Sequence, residues 1–326
     1  MFDQIKTIPN VFRYFTAGHD LYVITPGKQN REVVRYALNN LEIINRASTS
    51  AHQILFVGND LLLIDSANHA EIMDRSLHSK FTFPDEVRMA TNQRVVDHVT
   101  IYKGSISART FGVFSLALKK ELWMQQDVKP IQLYGDIVIG ETPDTICRLN
   151  ILDGTKKWEF NLAEIGGDQH DNVSYLIKGI ANDLLFISAD AINKLFALDL
   201  ATGKMIWQIS TISEFISWDE RQNRFLLLTE NFVSYDALTG ARIETADQLN
   251  LGVISQRGDN IVDGDTLITT DYRKGKVAAF DLKDHKLKWI YEITDSSFPP
   301  SNALTFASPY LFAHDMNGML HVFHKN

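Results

Sequence analysis

The chain has 326 residues, 45% hydrophobic and 22% charged, with 32 basic against 40 acidic side chains and a formal net charge of -8. This balance supports a filled globular core and disfavours a protein that grips a nucleic-acid backbone, which needs a basic surface. One cysteine, Cys147, excludes an intrachain disulfide and a multi-cysteine metal site, and it reads as a small apolar core residue.

The first twenty residues hold no continuous apolar run and no lipobox-type cysteine, so no secretory signal is read there and a cytoplasmic location is expected. Phe2 to Ile8 is a strand-like segment with no partner of its own in sequence. Eight short apolar runs then follow. They are Leu21–Ile24, Leu61–Ile64, Val99–Tyr102, Ile137–Ile139, Leu184–Ile187, Phe225–Leu228, Thr266–Ile268 and Tyr310–Phe312. Their starts lie 40, 38, 38, 47, 41, 41 and 44 residues apart. Runs this short suit strands covered on both faces, and they are far too short to span a bilayer. No segment keeps a helical period.

A nine-residue phrase follows several of these runs. Its clearest copy is Asp199 to Trp207, DLATGKMIW. Asn150 to Trp158 (NILDGTKKW) and Asp281 to Trp289 (DLKDHKLKW) repeat it. Asp236 to Glu244 (DALTGARIE) lacks the tryptophan, and Ser115 to Trp123 (SLALKKELW) lacks the Asp and the Gly. A period near 40 residues, each copy strand, turn and strand, predicts a propeller of stacked blades. Gly154, Gly203 and Gly240 fall where a hairpin needs positive φ, and Asp199 and Asp236 can bond the turn backbone. His285 and Lys119 stand in the glycine position of their copies, so those two turns are expected to be built differently. Trp123, Trp158, Trp207 and Trp289 share one place in the phrase, which predicts a wedge between neighbouring sheets rather than a ligand cage. Trp218 falls outside that register and is the one tryptophan open to a surface role.

The final repeat lacks a fourth strand. The expected solution is that the N-terminal segment supplies the outer strand of the last blade and ties the chain ends together. The predicted fold is all-β: a single β-propeller domain over residues 1–326, with eight four-stranded blades. Seven is the alternative, because the repeat at residues 51–83 matches poorly.

The phrase Phe196 to Trp207, xALDxxTGKxxW, resembles the quinoprotein (PQQ-type) β-propeller repeat. The likeness covers residues 95–325 well and the first two repeats by spacing alone. It implies that the four phrase tryptophans dock blade to blade. The family includes enzymes and binding scaffolds, so it indicates fold more than function. Its quinone-dependent dehydrogenases use calcium and, in one branch, a disulfide between adjacent cysteines. A chain with one cysteine and no export signal inherits none of their quinone-binding residues. Its outer-membrane assembly branch carries an exported lipidated cysteine, also absent here. No metal, cofactor or catalytic residue is assigned.

The remaining candidates are partner-binding residues. Asp168, His170 and Asp171 lie in a polar Gly-rich stretch within the longest gap of the series. Phe298 stands in the connection TDSSFPPSN, residues 294–302, as an exposed aromatic on a proline-stiffened loop. Together with Trp218 these predict a non-catalytic, protein-binding propeller. Its sharper form is an immunity-type protein that neutralises a basic partner such as a toxin nuclease, since charge complementarity speeds capture. A small-molecule-binding or quinone-dependent propeller enzyme is the alternative.

Overall fold

Every sheet of the molecule is a four-stranded antiparallel meander, and the short apolar runs of the sequence are the second strands of these sheets. This computed structural model describes residues 1–27, 30–89, 97–105, 109–165, 175–189, 192–211, 216–219, 222–228, 232–246, 253–254, 257–300 and 303–326. Among them the strands form eight sheets, and the fold is an eight-bladed β-propeller. The only helix there is one 3₁₀ turn, Leu162–Ile165.

Blade 1 holds Arg13–Ala17, Asp20–Pro26, Arg31–Ala37 and Ile43–Thr49. Blade 2 holds Gln53–Val57, Asp60–Ile64, Ala70–Met73 and Ser79–Thr82, so the poorly matching repeat is a complete blade. Blade 3 runs from Arg88–Met89 to Lys120–Gln125, and blade 4 from Lys129–Tyr134 to Lys156–Asn161. Blade 5 runs from Tyr175–Ala181 to Met205–Ser210, blade 6 from Ile216–Asp219 to Arg242–Ala246, and blade 7 from Arg257–Asp263 to Lys286–Glu292. Blade 8 takes its first three strands, Leu304–Ala307, Tyr310–His314 and Leu320–Lys325, from the C-terminus. Its fourth is Phe2–Ile8, antiparallel to Leu320–Lys325 from Phe2 opposite Lys325 to Ile8 opposite Leu320. The N-terminal segment therefore completes the last blade, as its unpartnered apolar pattern predicts.

The chain divides into two compact units. One comprises residues 12–172 and 198–205, the other residues 1–11, 173–197 and 206–326. In each, the core lies between consecutive sheets. Tyr22, Leu61 and Leu63 join blades 1 and 2, and Val99, Ile101, Leu62 and Phe83 join blades 2 and 3. In the other unit Phe186, Trp207 and Phe225 join blades 5 and 6. Both faces of each second strand meet apolar neighbours, which is why these runs do not alternate.

Candidate functional site

The turn between third and fourth strands is where the repeat phrase acts. Asp199 accepts hydrogen bonds from the Thr202 backbone nitrogen (2.7 Å) and hydroxyl (2.6 Å), and Gly203 nitrogen bonds back to Asp199 carbonyl (2.8 Å). Gly203 sits at φ +74°, Gly154 at +72° and Gly240 at +67°, where a Cβ is strained. Each of these glycines lies flat against the tryptophan of the preceding blade. A Cβ on Gly154 would stand 2.7 Å from the Trp123 ring, on Gly203 2.6 Å from Trp158, and on Gly240 2.8 Å from Trp207. The indole nitrogens donate to backbone carbonyls of the same turns: Trp123 to Ile151 (2.8 Å), Trp158 to Leu200 (2.8 Å) and Trp207 to Ala237 (3.0 Å). Ring and glycine thus form one clasp, and the buried indole keeps its hydrogen bond.

Trp289 holds the same strand position, one residue beyond the β-bulge, but meets no such turn. The next blade ends at the chain termini, and Trp289 packs 5.2 Å from the rings of Phe2 and Phe323. Lys119 and His285 correct an expectation. Their φ values are +51° and +54°, so their turns keep the left-handed residue without a glycine. In blade 3 the ring contact changes kind: Phe81 stands in the tryptophan position of blade 2, and the Lys119 ammonium lies over it, 5.5 Å from its ring centre.

Blades 1 and 2 are joined by polar groups instead. Asn45 occupies the tryptophan position of blade 1 and donates to Ser76 carbonyl (2.5 Å). Arg35, opposite it, donates to Arg75 carbonyl (3.1 Å) and pairs with Asp20 (2.9 Å). The buried Tyr22 hydroxyl reaches Asp20 and Arg75 carbonyl, both at 3.4 Å. Burial, then the Asp20 charge, pushes the Tyr22 phenol up to about 12.

The tips of three of these third-to-fourth-strand turns are apolar and open. Leu152 is 67% exposed, with the exposed Ala201 at the same position in blade 5, and Leu118, one place nearer the left-handed residue of its turn in blade 3, is 61% exposed. All three belong to the unit of residues 12–172 and 198–205. The sequence-predicted partner residues lie elsewhere. Asp168, His170 and Asp171 are outside the described residues. Phe298 is 1% exposed, packed with Leu304, Leu311 and Phe323, so the exposed aromatic anchor is overturned. Its loop is drawn in by Met316 nitrogen on Ser297 carbonyl (2.8 Å) and the Asn317 amide on Asp295 carbonyl (3.0 Å). Trp218 is half-buried, 4.7 Å from the Phe225 ring and 5.1 Å from Phe186, and serves the core between blades 5 and 6.

A repeat-family model described as outer membrane protein assembly factor BamB, of PQQ type, matches residues 115–291, more than half of the chain. The chain belongs to this family. Membership accounts for the clasps, since the matched stretch contains every turn in which glycine meets tryptophan. An uncharacterised protein of Rickettsia conorii (strain Malish 7) is 24% identical over 164 residues, 46% of this chain and 37% of that protein. The chain thus matches well under half the length of this curated relative. Among solved structures, BamB from Moraxella catarrhalis is similar with a TM-score of 0.66 at 15% identity, over 99% of this chain and 100% of that one. A europium-containing methanol dehydrogenase gives the same TM-score at 10% identity, over 99% and 93%. Identities this low show the fold alone.

The family fold also carries a polar cluster that sequence adjacency did not indicate. His314 and Asp315 are neighbours in the chain, yet Asp315 bonds His321 (3.2 Å), six residues on. The other His321 nitrogen faces the Tyr291 hydroxyl (3.3 Å) and the Gln4 amide (3.4 Å). His314 donates to Val11 carbonyl (2.8 Å). Both histidines are buried and committed to protein partners, so they fasten residues 4–11 to blade 8 rather than face a substrate. Among the described residues no group of three or more metal-ligating side chains converges, and no helix is long and apolar enough to cross a membrane.

Proposed function

We propose that this chain is a non-catalytic, protein-binding propeller. The observation that carries the reading is the exposure of Leu118 and Leu152 at the tips of turns that hydrogen bonds and, in blade 4, a clasped glycine hold in shape. An apolar side chain on a rigid turn loses little entropy on docking and suits an interface anchor better than a catalytic site. Family membership agrees, because these propellers include protein-binding scaffolds. The net charge of -8 supports a basic partner, and its sharpest form is a toxin nuclease neutralised in the cytoplasm.

The test is co-purification of the full chain from its native host, followed by reconstitution with the recovered partner. A stoichiometric complex that Leu118→Ser/Leu152→Ser disrupts supports the reading, and absence of any stoichiometric partner ends it. For the sharper form, the partner is a basic nuclease silenced at one equivalent. A second reading follows from the family description: a partner in outer-membrane assembly, in which case the chain fractionates with membranes. The enzymatic alternative predicts a rise in Tm with pyrroloquinoline quinone and calcium.

A further inference from the structure

In blades 1 to 7 the fourth strand follows the third through a turn of its own sheet, so the chain itself fixes its place. Blade 8 differs. Its fourth strand, Phe2–Ile8, comes from the other end of the chain and stays by backbone and side-chain contacts alone. Those contacts define a socket on blades 7 and 8. Phe2 is buried there, 5.2 Å from the Trp289 ring and 6.3 Å from the Phe306 ring. The Gln4 amide reaches the buried His321, and Ile8 is buried opposite Leu320. Between Gln4 and Lys6 the register shifts, which leaves Ile5 unpaired and 48% exposed. The strand is therefore held as two short runs rather than one unbroken ladder.

Only residues 9–12 join this strand to Arg13–Ala17, the first strand of blade 1. Asn10 in this link is exposed and stands at φ +57°, a left-handed backbone that costs energy for any residue with a Cβ. Val11 is buried and pinned to blade 8: its nitrogen donates to the Gly318 carbonyl (2.7 Å), and its carbonyl accepts from His314 (2.8 Å). One residue on, the Phe12 nitrogen donates to the Ile24 carbonyl of blade 1 (2.9 Å). Residues 1–11 count with one compact unit, and Phe12 begins the other. A short, strained link between two elements that each hold their own contacts is the hinge that strand exchange requires.

We propose that Phe2–Ile8 is exchangeable, and that the socket on blades 7 and 8 takes the same strand from a second copy of this chain. The fit names the occupant, because the socket is complementary to this segment and every copy carries it. In the exchanged dimer each copy completes the other's blade 8, and every contact of Phe2–Ile8 is kept. The two forms differ at the hinge, which opens and releases the left-handed turn at Asn10. They differ also in concentration: a tethered strand competes at an effective concentration on the order of 1 mM. Dilute chains therefore close on themselves, and concentrated chains that fold together exchange.

The test refolds the full chain from urea at about 5 μM and about 500 μM and measures mass by size exclusion with light scattering. The dimer fraction is expected to rise roughly tenfold or more between the two. Asp3→Cys/His324→Cys reports which chain supplies the strand, since these residues are paired across it. After oxidation a closed chain runs as a monomer on a non-reducing gel, and an exchanged dimer runs as a covalent dimer. Cys147 is buried and does not compete. Asn10→Val makes the left-handed hinge costlier and should raise the dimer fraction about tenfold, whereas Asn10→Gly removes the cost and should lower it. Monomer at both concentrations in wild type and Asn10→Val overturns the proposal. So does a dimer whose introduced disulfides stay within single chains, or a dimer fraction that ignores both hinge variants. None of these results touches the protein-binding reading, which rests on other residues.

Discussion

Two neighbouring parts of one compact unit solve the same joining problem with different chemistry. Blades 3 and 4, and the turn of residues 198–205 that shares their unit, are held by tryptophan rings laid on left-handed glycines. Blades 1 and 2 are held by Asp20, Tyr22, Arg35 and Asn45 around the carbonyls of Arg75 and Ser76. The aromatic seam depends on shape, since a ring needs a flat, Cβ-free floor. The polar seam depends on hydrogen bonding, since Asp20 and Tyr22 are withdrawn from water. The first has nothing that titrates, whereas the second contains a phenol and a carboxylate.

The aromatic seam should be the more costly one to break. Trp158→Ala removes a ring that is 8% exposed and takes from the Leu200 carbonyl one of its two donors, leaving Arg148. The expected loss is about 4 kcal/mol in urea unfolding. A loss under about 1 kcal/mol would show that the sheets pack without the wedge and would erase the contrast between the seams.

Gly203→Ala probes the floor of the same clasp. The new methyl meets both a left-handed backbone and a ring 2.6 Å away, so about 3 kcal/mol is expected. The two causes separate in a double-mutant cycle. With Trp158→Ala already in place the ring clash is gone, and only the backbone cost of about 1 kcal/mol should remain.

The contrast also governs what sequence could disclose. The aromatic seam was legible because Gly203 and Trp207 recur at fixed spacing, and that spacing exists because turn and ring are built alike in each blade. The fourth strand of blade 8 was legible because Phe2 to Ile8 had no local partner and Leu320 to Lys325 lacked one. The polar seam was not legible, because Asp20, Arg35 and Arg75 stand on different strands and turns with no common period. Phe298 misled because its neighbours, serines and prolines, look like an exposed loop, while distant Leu311 and Phe323 bury it. His321 was missed because a strand register, not chain adjacency, brings it to Asp315. The exposure of Leu152 was hidden inside the repeat phrase, where its position reads as an ordinary turn residue.

Within the polar seam, Asp20→Ala leaves Arg35 and Tyr22 with only the Arg75 carbonyl as acceptor. Asp20 is 6% exposed, but the Arg35 side chain still reaches water, so about 2 kcal/mol is expected rather than the larger loss of a fully buried pair. Arg35→Ala should cost a similar amount, and the double variant should cost less than the sum if the two act as one unit.

Tyr22→Phe is the smallest change and the one that separates the seams by pH. At neutral pH it removes one hydroxyl bond and should cost about 1 kcal/mol. In alkali the two chains should converge. Folding holds the Tyr22 proton to about 12, above its ordinary value of 10. The unfolded chain therefore releases this proton first, and the stability linked to it is complete below pH 10 and lost as pH rises toward 12. Phenylalanine cannot titrate, so the variant should lose less stability across that interval than the wild type, and Trp158→Ala should follow the wild-type slope. Unfolding titrations at pH 9, 10 and 11 measure the difference. Parallel slopes for wild type and Tyr22→Phe would mean that the phenol is open to water, and the polar seam would then be a surface network with no buried acceptor to protect.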